Sequence, residues 1–124
     1  MRHEVTDADT AVALGSGDVP VLATPRLIAW MEAATVRAAD TFLATGQTTV
    51  GTGIRIAHRR AIGVGGSVEI TAALQRDAAS RRLTFDVQAI DGSGQVIAAG
   101  QIERAIVDRQ RFLASVSVAA RYNS

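Results

Sequence analysis

Four residues suited to handling protons or negative charge stand where this sequence otherwise calls for apolar side chains. Glu32 lies inside a run that carries Leu27, Ile28, Trp30, Met31, Ala33, Ala34, Val36, Ala38, Ala39, Phe42 and Leu43. His58 continues the alternation of Val50, Ile54 and Ile56, and Arg104 continues that of Val96, Ala98 and Ile102. Thr24 opens the apolar run, beside the helix end whose unpaired amides favour negative charge. A carboxylate or imidazole can move protons or direct water, and amides at a helix start can hold a developing oxyanion. An ionised acid is expensive to bury alone, so Glu32 needs a partner, with Arg37 and Arg104 as candidates. Each residue also has a plainer role: Thr24 as an N-cap, Glu32 in a structural ion pair, His58 as a satisfied strand end. Gly51 and Gly53 add a further signal, since glycine within a strand marks a bulge or a close backbone approach.

The elements that must hold these residues follow from period and punctuation. Residues 2–6 read as a short first strand, followed by a polar connection to about Gly17. A helix is expected over about 25–45, with Thr24 as N-cap, Pro25 in the first turn and Gly46 as the stop. An apolar composition on nearly all its faces predicts burial. From Thr48 the period becomes two, with Val50, Thr52, Ile54, Ile56 and His58 on one side and Thr49, Gly51, Gly53, Arg55 and Ala57 on the other. Gly63–Gly66 is a turn, and Val68, Ile70, Ala72 and Leu74 alternate after it. A turn around Ala78–Ser80 leads to Leu83, Phe85, Val87 and Ala89. Asp91-Gly92-Ser93-Gly94 signals a hairpin into a last strand over about 95–107, and Ser115–Ser124 reads as a loosely held tail. The class is α+β: one long buried helix wrapped by an antiparallel sheet of about five strands, the hot-dog arrangement.

Bulk composition narrows the chemistry. The 124 residues suit one domain, expected to span 1–124. The net charge is +1 and all 13 basic residues are scattered arginines, which gives no electrostatic case for nucleic acid. Arg59–Arg60 and Arg81–Arg82 read as solvated turn residues, the alternative being contacts to a phosphate-bearing ligand. The chain has no cysteine and two histidines without metal-ligand spacing, so no metal or cofactor is expected. No apolar run suits a signal peptide or a membrane span, which makes cytoplasmic the expected location.

Val21-Leu22-Ala23-Thr24, Met31-Glu32, Gly51-Thr52-Gly53-Ile54 with His58, and Glu103-Arg104-Ala105 together resemble the fluoroacetyl-CoA thioesterase family of hot-dog proteins. The resemblance runs over roughly residues 12 to 113. It implies a catalytic set of Thr24, Glu32 and His58, with Gly51 near the acyl group and Arg104 supporting the site. It also implies acyl-CoA substrates and a homodimer with active sites at the subunit interface. The lid segment that bears phenylalanines in the fluoroacetate-specific enzyme is here Leu14–Pro20, without an aromatic, which points to a different acyl group. The leading expectation is therefore hydrolysis of a small or medium acyl-CoA. Glu32 would act as nucleophile or general base, His58 as proton carrier, and Thr24 as a hydrogen-bonding partner of the carboxylate or the thioester carbonyl. The rivals are a hot-dog enoyl-CoA hydratase or dehydratase, and a non-catalytic acyl-CoA-binding dimer.

Overall fold

A computed structural model describes residues 1–75 and 81–123, with side chains through 116; the expected turn at Ala78–Ser80 lies outside the described residues. In chain order the elements are β1 (Arg2–Glu4), α1 (Ala11–Leu14), α2 (Thr24–Ala39), β2 (Gln47–His58), β3 (Ser67–Leu74), β4 (Arg82–Asp91), β5 (Val96–Asp108) and α3 (Arg109–Asn123). The strands form one sheet in the order β1-β3-β4-β5-β2, and every neighbouring pair is antiparallel. α2 packs against β3, β4 and β2, so the expected hot-dog architecture of one helix against a five-stranded antiparallel sheet is present.

The core sits between α2 and the inner face of the sheet. Leu27, Met31, Ala34, Thr35 and Ala39 are the buried residues of α2. They meet Val68 and Ile70 of β3, Leu83, Phe85, Val87 and Ala89 of β4, and Ile97, Ala98 and Ile102 of β5. The period-two reading of β3 and β4 matches this burial. α2 ends earlier than composition suggests, at Ala39, and a 3-10 turn over Asp40–Phe42 follows. It is also not buried all round: the sheet covers one side, leaving Ala29, Ala33 and Val36 exposed in a single copy.

Two bulges set which residues face inward. In β2 the register steps from Gly51↔Arg104 to Gly53↔Glu103, leaving Thr52 as the extra residue. In β5 it steps from Ala89↔Ala98 to Ile90↔Val96, which leaves Ile97 fully buried and Val96 41% exposed. The Asp91 hairpin forms as expected: its carboxylate accepts from the Ser93 and Gln95 amides and the Ser93 hydroxyl. The polar connection before Gly17 contains a 3-10 turn at Asp7–Asp9 and the short helix α1. The helix α3 starts at Arg109 and runs on through Ser115, with Asp108 Oδ1 accepting from the Arg111 amide at 2.8 Å, an N-cap bond that the sequence pattern Asp followed by Arg109-Gln110-Arg111 allows. His3, expected at the surface, is half-buried and stacks on Trp30 with ring centroids 4.3 Å apart. Burial pushes the His3 imidazole below its ordinary value.

β2 is held to the sheet through β5 alone, and its closest approach is at Gly100. A Cβ there would overlap the Arg55 carbonyl oxygen and lie 2.9 Å from the Ile56 Cα. Neither backbone group can yield without breaking the ladder, so Gly100→Ala is expected to lower unfolding free energy by about 3 kcal/mol or more, the upper range for overpacking. Urea denaturation checks this, and a loss below about 1 kcal/mol contradicts it.

Candidate active site

The chain path fixes the start of α2 before any side chain acts. The Leu22 amide donates to the Ile62 carbonyl at 2.7 Å and the Ala23 amide to the Asp9 carbonyl at 2.9 Å. Arg26 adds an ion pair with Asp9 at 3.0 Å. Ala23, not Thr24, is the N-cap, and no side chain caps the helix. Thr24 is thereby the first helical residue with a free hydroxyl, and its Oγ1 lies 2.8 Å from His58 Nδ1. His58 comes from the last position of β2, opposite Ala98. With Nδ1 engaged, its Nε2 is buried and has no hydrogen-bond partner. A buried polar atom without a partner carries a free-energy cost, which a proton donor or acceptor reaching it would relieve.

A second group forms farther along α2. Glu32 Oε2 lies 3.6 Å from Arg104 Nη1, which selects Arg104 over Arg37 as its partner. The Arg104 side chain is 8% exposed and that of Glu32 36%, so the buried charge is the arginine and the acid stands at the rim. This revises the expectation of an acid enclosed in apolar surroundings. The cause is the half-covered helix and the position of β2 at the sheet edge. Burial pushes the Arg104 guanidinium below its ordinary value, and the Glu32 carboxylate opposes that shift. An arginine remains charged regardless, so it is a fixed cation beside the acid.

Two residues of β2 complete this group. Thr49 accepts from Arg104 Nε through its hydroxyl at 2.8 Å and from Nη2 through its carbonyl at 3.1 Å. Gly51 leaves the space the carboxylate occupies: a Cβ there would meet Glu32 Oε2 at 3.0 Å and Arg104 Nη1 at 3.5 Å. The alternation assigned Thr49 and Gly51 to the face opposite His58. The extra residue at Thr52 reverses that parity, so all three share the face turned toward α2. Thr49 therefore escaped sequence reasoning, and only a bulge at Gly51-Thr52-Gly53 would have pointed to it. Gly53 lies on the outer face, where a Cβ would meet Glu103.

The structure thus brings Thr24 to His58, and Glu32 to Arg104 and Gly51. It does not bring the two groups together within one copy. Among the described residues no hydrogen bond or ion pair joins them, and eight helical residues set the Cα atoms of Thr24 and Glu32 about 12 Å apart. A cleft of about 280 Å3 opens beside Thr24 and His58, lined also by Val19, Leu22, Arg59 and Arg60. A larger hollow of about 400 Å3 lies on the outer sheet face among Arg55, Thr84, Gln101 and Glu103, away from all these groups. Of these two, the smaller one carries the positioned imidazole of His58. No group of metal-ligating side chains occurs among the described residues.

The family model of the fluoroacetyl-CoA-specific thioesterase matches residues 5–110. The chain is 38% identical over 96 residues to the fluoroacetyl-CoA thioesterase of Streptantibioticus cattleyicolor, covering 77% of this chain and 68% of that protein. A phenylalanine-to-alanine variant of the fluoroacetyl-CoA-specific thioesterase, crystallised with fluoroacetate and CoA, superposes with a TM-score of 0.86 at 32% identity over 96% of each chain. A thioesterase superfamily member from Thermus thermophilus superposes with a TM-score of 0.88 at 24% identity, covering 99% of this chain and 90% of that one, a likeness of fold.

Thr49 is the residue on which Arg104 depends. Thr49→Val removes the acceptor of a buried charged donor while nearly preserving volume. The expected loss of unfolding free energy is about 1.5–3 kcal/mol, with Thr49→Ser recovering most of it. Denaturant titration of the two variants reads this, and equal stability of the valine and serine forms contradicts it.

Proposed function

This chain belongs to the fluoroacetyl-CoA-specific thioesterase family, hydrolases of acyl-CoA thioesters, and we propose that it cleaves small or medium acyl-CoA at a site completed by two copies of the chain. The observation that carries the reading is the His58 ring, anchored at Nδ1 by Thr24 while its buried Nε2 has no partner. That is the arrangement a proton carrier needs: one nitrogen fixes the ring and the other faces the reaction. Glu32 supplies the basic oxygen, held by Arg104 and given room by Gly51.

The unpaired edge of β2 supports a homodimer. β2 is a 12-residue edge strand with Ile54 47% exposed, the kind of edge that another chain covers. Two β2 strands paired antiparallel about a two-fold axis near Ile54–Arg55 would oppose Gly51 of one copy to the partner's His58. The Glu32 group of each copy then faces the Thr24–His58 pair of the other, which closes the gap present within one copy.

In that site the thioester carbonyl lies between the two groups. Glu32 either attacks the carbonyl carbon itself or takes a proton from the water that attacks it. Backbone amides at the Thr52 bulge and at the start of α2 stabilise the negative oxygen. As the carbon–sulfur bond breaks, the CoA thiolate takes a proton from His58 Nε2. Water adds across the bond in sum, either directly or by hydrolysing the acyl anhydride formed on Glu32, leaving the free acid, CoA and the restored carboxylate. The segment Leu14–Pro20 lines the cleft through Ser16, Gly17 and Val19 and offers no aromatic side chain, so selectivity for fluoroacetyl-CoA is not expected.

A panel of acyl-CoAs assayed for free thiol tests the proposal. Turnover is expected on short and medium chains, falling ~10²-fold or more in Glu32→Ala and in His58→Ala with the fold intact. Hydration of an enoyl-CoA with the thioester preserved would reassign the site to the hydratase reading. Tight acyl-CoA binding without thiol release would reassign it to a binding protein.

A further inference from the structure

Directly after the proposed proton carrier come two arginines that the reaction does not use. The amides of Arg59 and Arg60 both donate to the Ile97 carbonyl, at 2.8 and 3.3 Å, which pins their backbone where β2 leaves the sheet. Both residues are exposed and both line the cleft that holds Thr24 and His58. The other lining residues include no carboxylate. Among the described residues the Arg59 side chain has no hydrogen bond or ion pair. Arg60 acts weakly on Asp91, whose carboxyl is held below its ordinary value chiefly by the Ser93 hydroxyl. In a chain of net charge +1, an unpaired Arg59 beside an Arg60 whose one carboxylate neighbour acts weakly makes a local positive excess at the mouth of this cleft.

We infer that Arg59 and Arg60 form an anion site that grips the phosphates of the substrate's coenzyme A portion, an inference that rests on the thioesterase reading. Guanidinium forks match phosphate oxygens in pairs, and such charge-assisted bonds are stronger than neutral ones. The span also fits. Two residues past the end of β2, the Arg60 Cα lies at most about 7 Å from that of His58, and the long side chain reaches farther. The pantetheine arm is a flexible chain longer than this separation, so sulfur at His58 Nε2 and phosphate at the arginines can be held by one molecule. The apolar lining by Val19, Val21 and Leu22 suits the arm between them.

The test compares the Arg59→Ala, Arg60→Ala double variant with the parent on an acyl-CoA, its 3′-dephospho analogue and the matching acyl-pantetheine, which has no CoA phosphates. The ratio of kcat/KM on acyl-CoA to that on acyl-pantetheine is expected to fall about tenfold or more, through KM. A loss that shrinks with the 3′-dephospho substrate assigns the grip to the 3′-phosphate, and one that persists assigns it to the diphosphate. An unchanged ratio overturns the inference. If the parent releases no thiol from any thioester, the hydrolase reading fails by itself, and calorimetric titration still decides the arginines. CoA binding more tightly than pantetheine to the parent but not to the variant supports the anion site, and the same preference in both proteins overturns it.

Discussion

One extra residue in an edge strand governs the rest of this structure. Gly51 and His58 are seven positions apart, an odd number, and in a regular strand they would point to opposite faces of the sheet. The bulge at Thr52 absorbs one residue, and both then face α2. Without it, either the carboxylate of Glu32 loses the space that Gly51 leaves, or the imidazole turns away from Thr24. The glycines on both sides of Thr52 leave room for carboxylates, Gly51 for Glu32 and Gly53 for Glu103.

The polar residues on this face divide into an anchored charge and an exposed acid. Arg104 is buried, hydrogen-bonded twice to Thr49, and cannot relax away from its cost of desolvation. Glu32 keeps access to solvent, with one oxygen near the guanidinium. That access spares the carboxylate the desolvation that the guanidinium bears. In the Thr24–His58 pair one ring nitrogen meets the Thr24 hydroxyl and the other is buried without a hydrogen-bond partner.

Much of the fold was legible because β3, β4 and the inner side of α2 obey simple periods, and the Asp91 hairpin is set by local hydrogen bonding. The parts that were not legible depend on partners far away in the chain. Thr24 has the residue type of an N-cap, yet the Ala23 backbone takes that place because Asp9 holds its amide, and His58, 34 residues on, engages the hydroxyl. Thr49 was assigned to the wetter face because alternation carries no record of a bulge. α3 lay hidden in a weakly periodic tail, although Asp108 is a favoured cap type. Site residues were visible as polar breaks in apolar patterns, but their division into two groups about 12 Å apart along α2 follows only from knowing which strand residue meets which helical turn.

That separation makes the central claim directly measurable. Glu32→Ala and His58→Ala chains, each expected to be inactive as a pure protein, can be co-expressed and the proposed mixed dimer isolated by two affinity tags. In the mixed dimer, one site joins the intact Glu32 of one chain to the intact Thr24–His58 pair of the other, so thiol release from acyl-CoA is predicted to reappear. A mixed dimer as inactive as its parents would mean that acid and imidazole act within one chain, which contradicts the account.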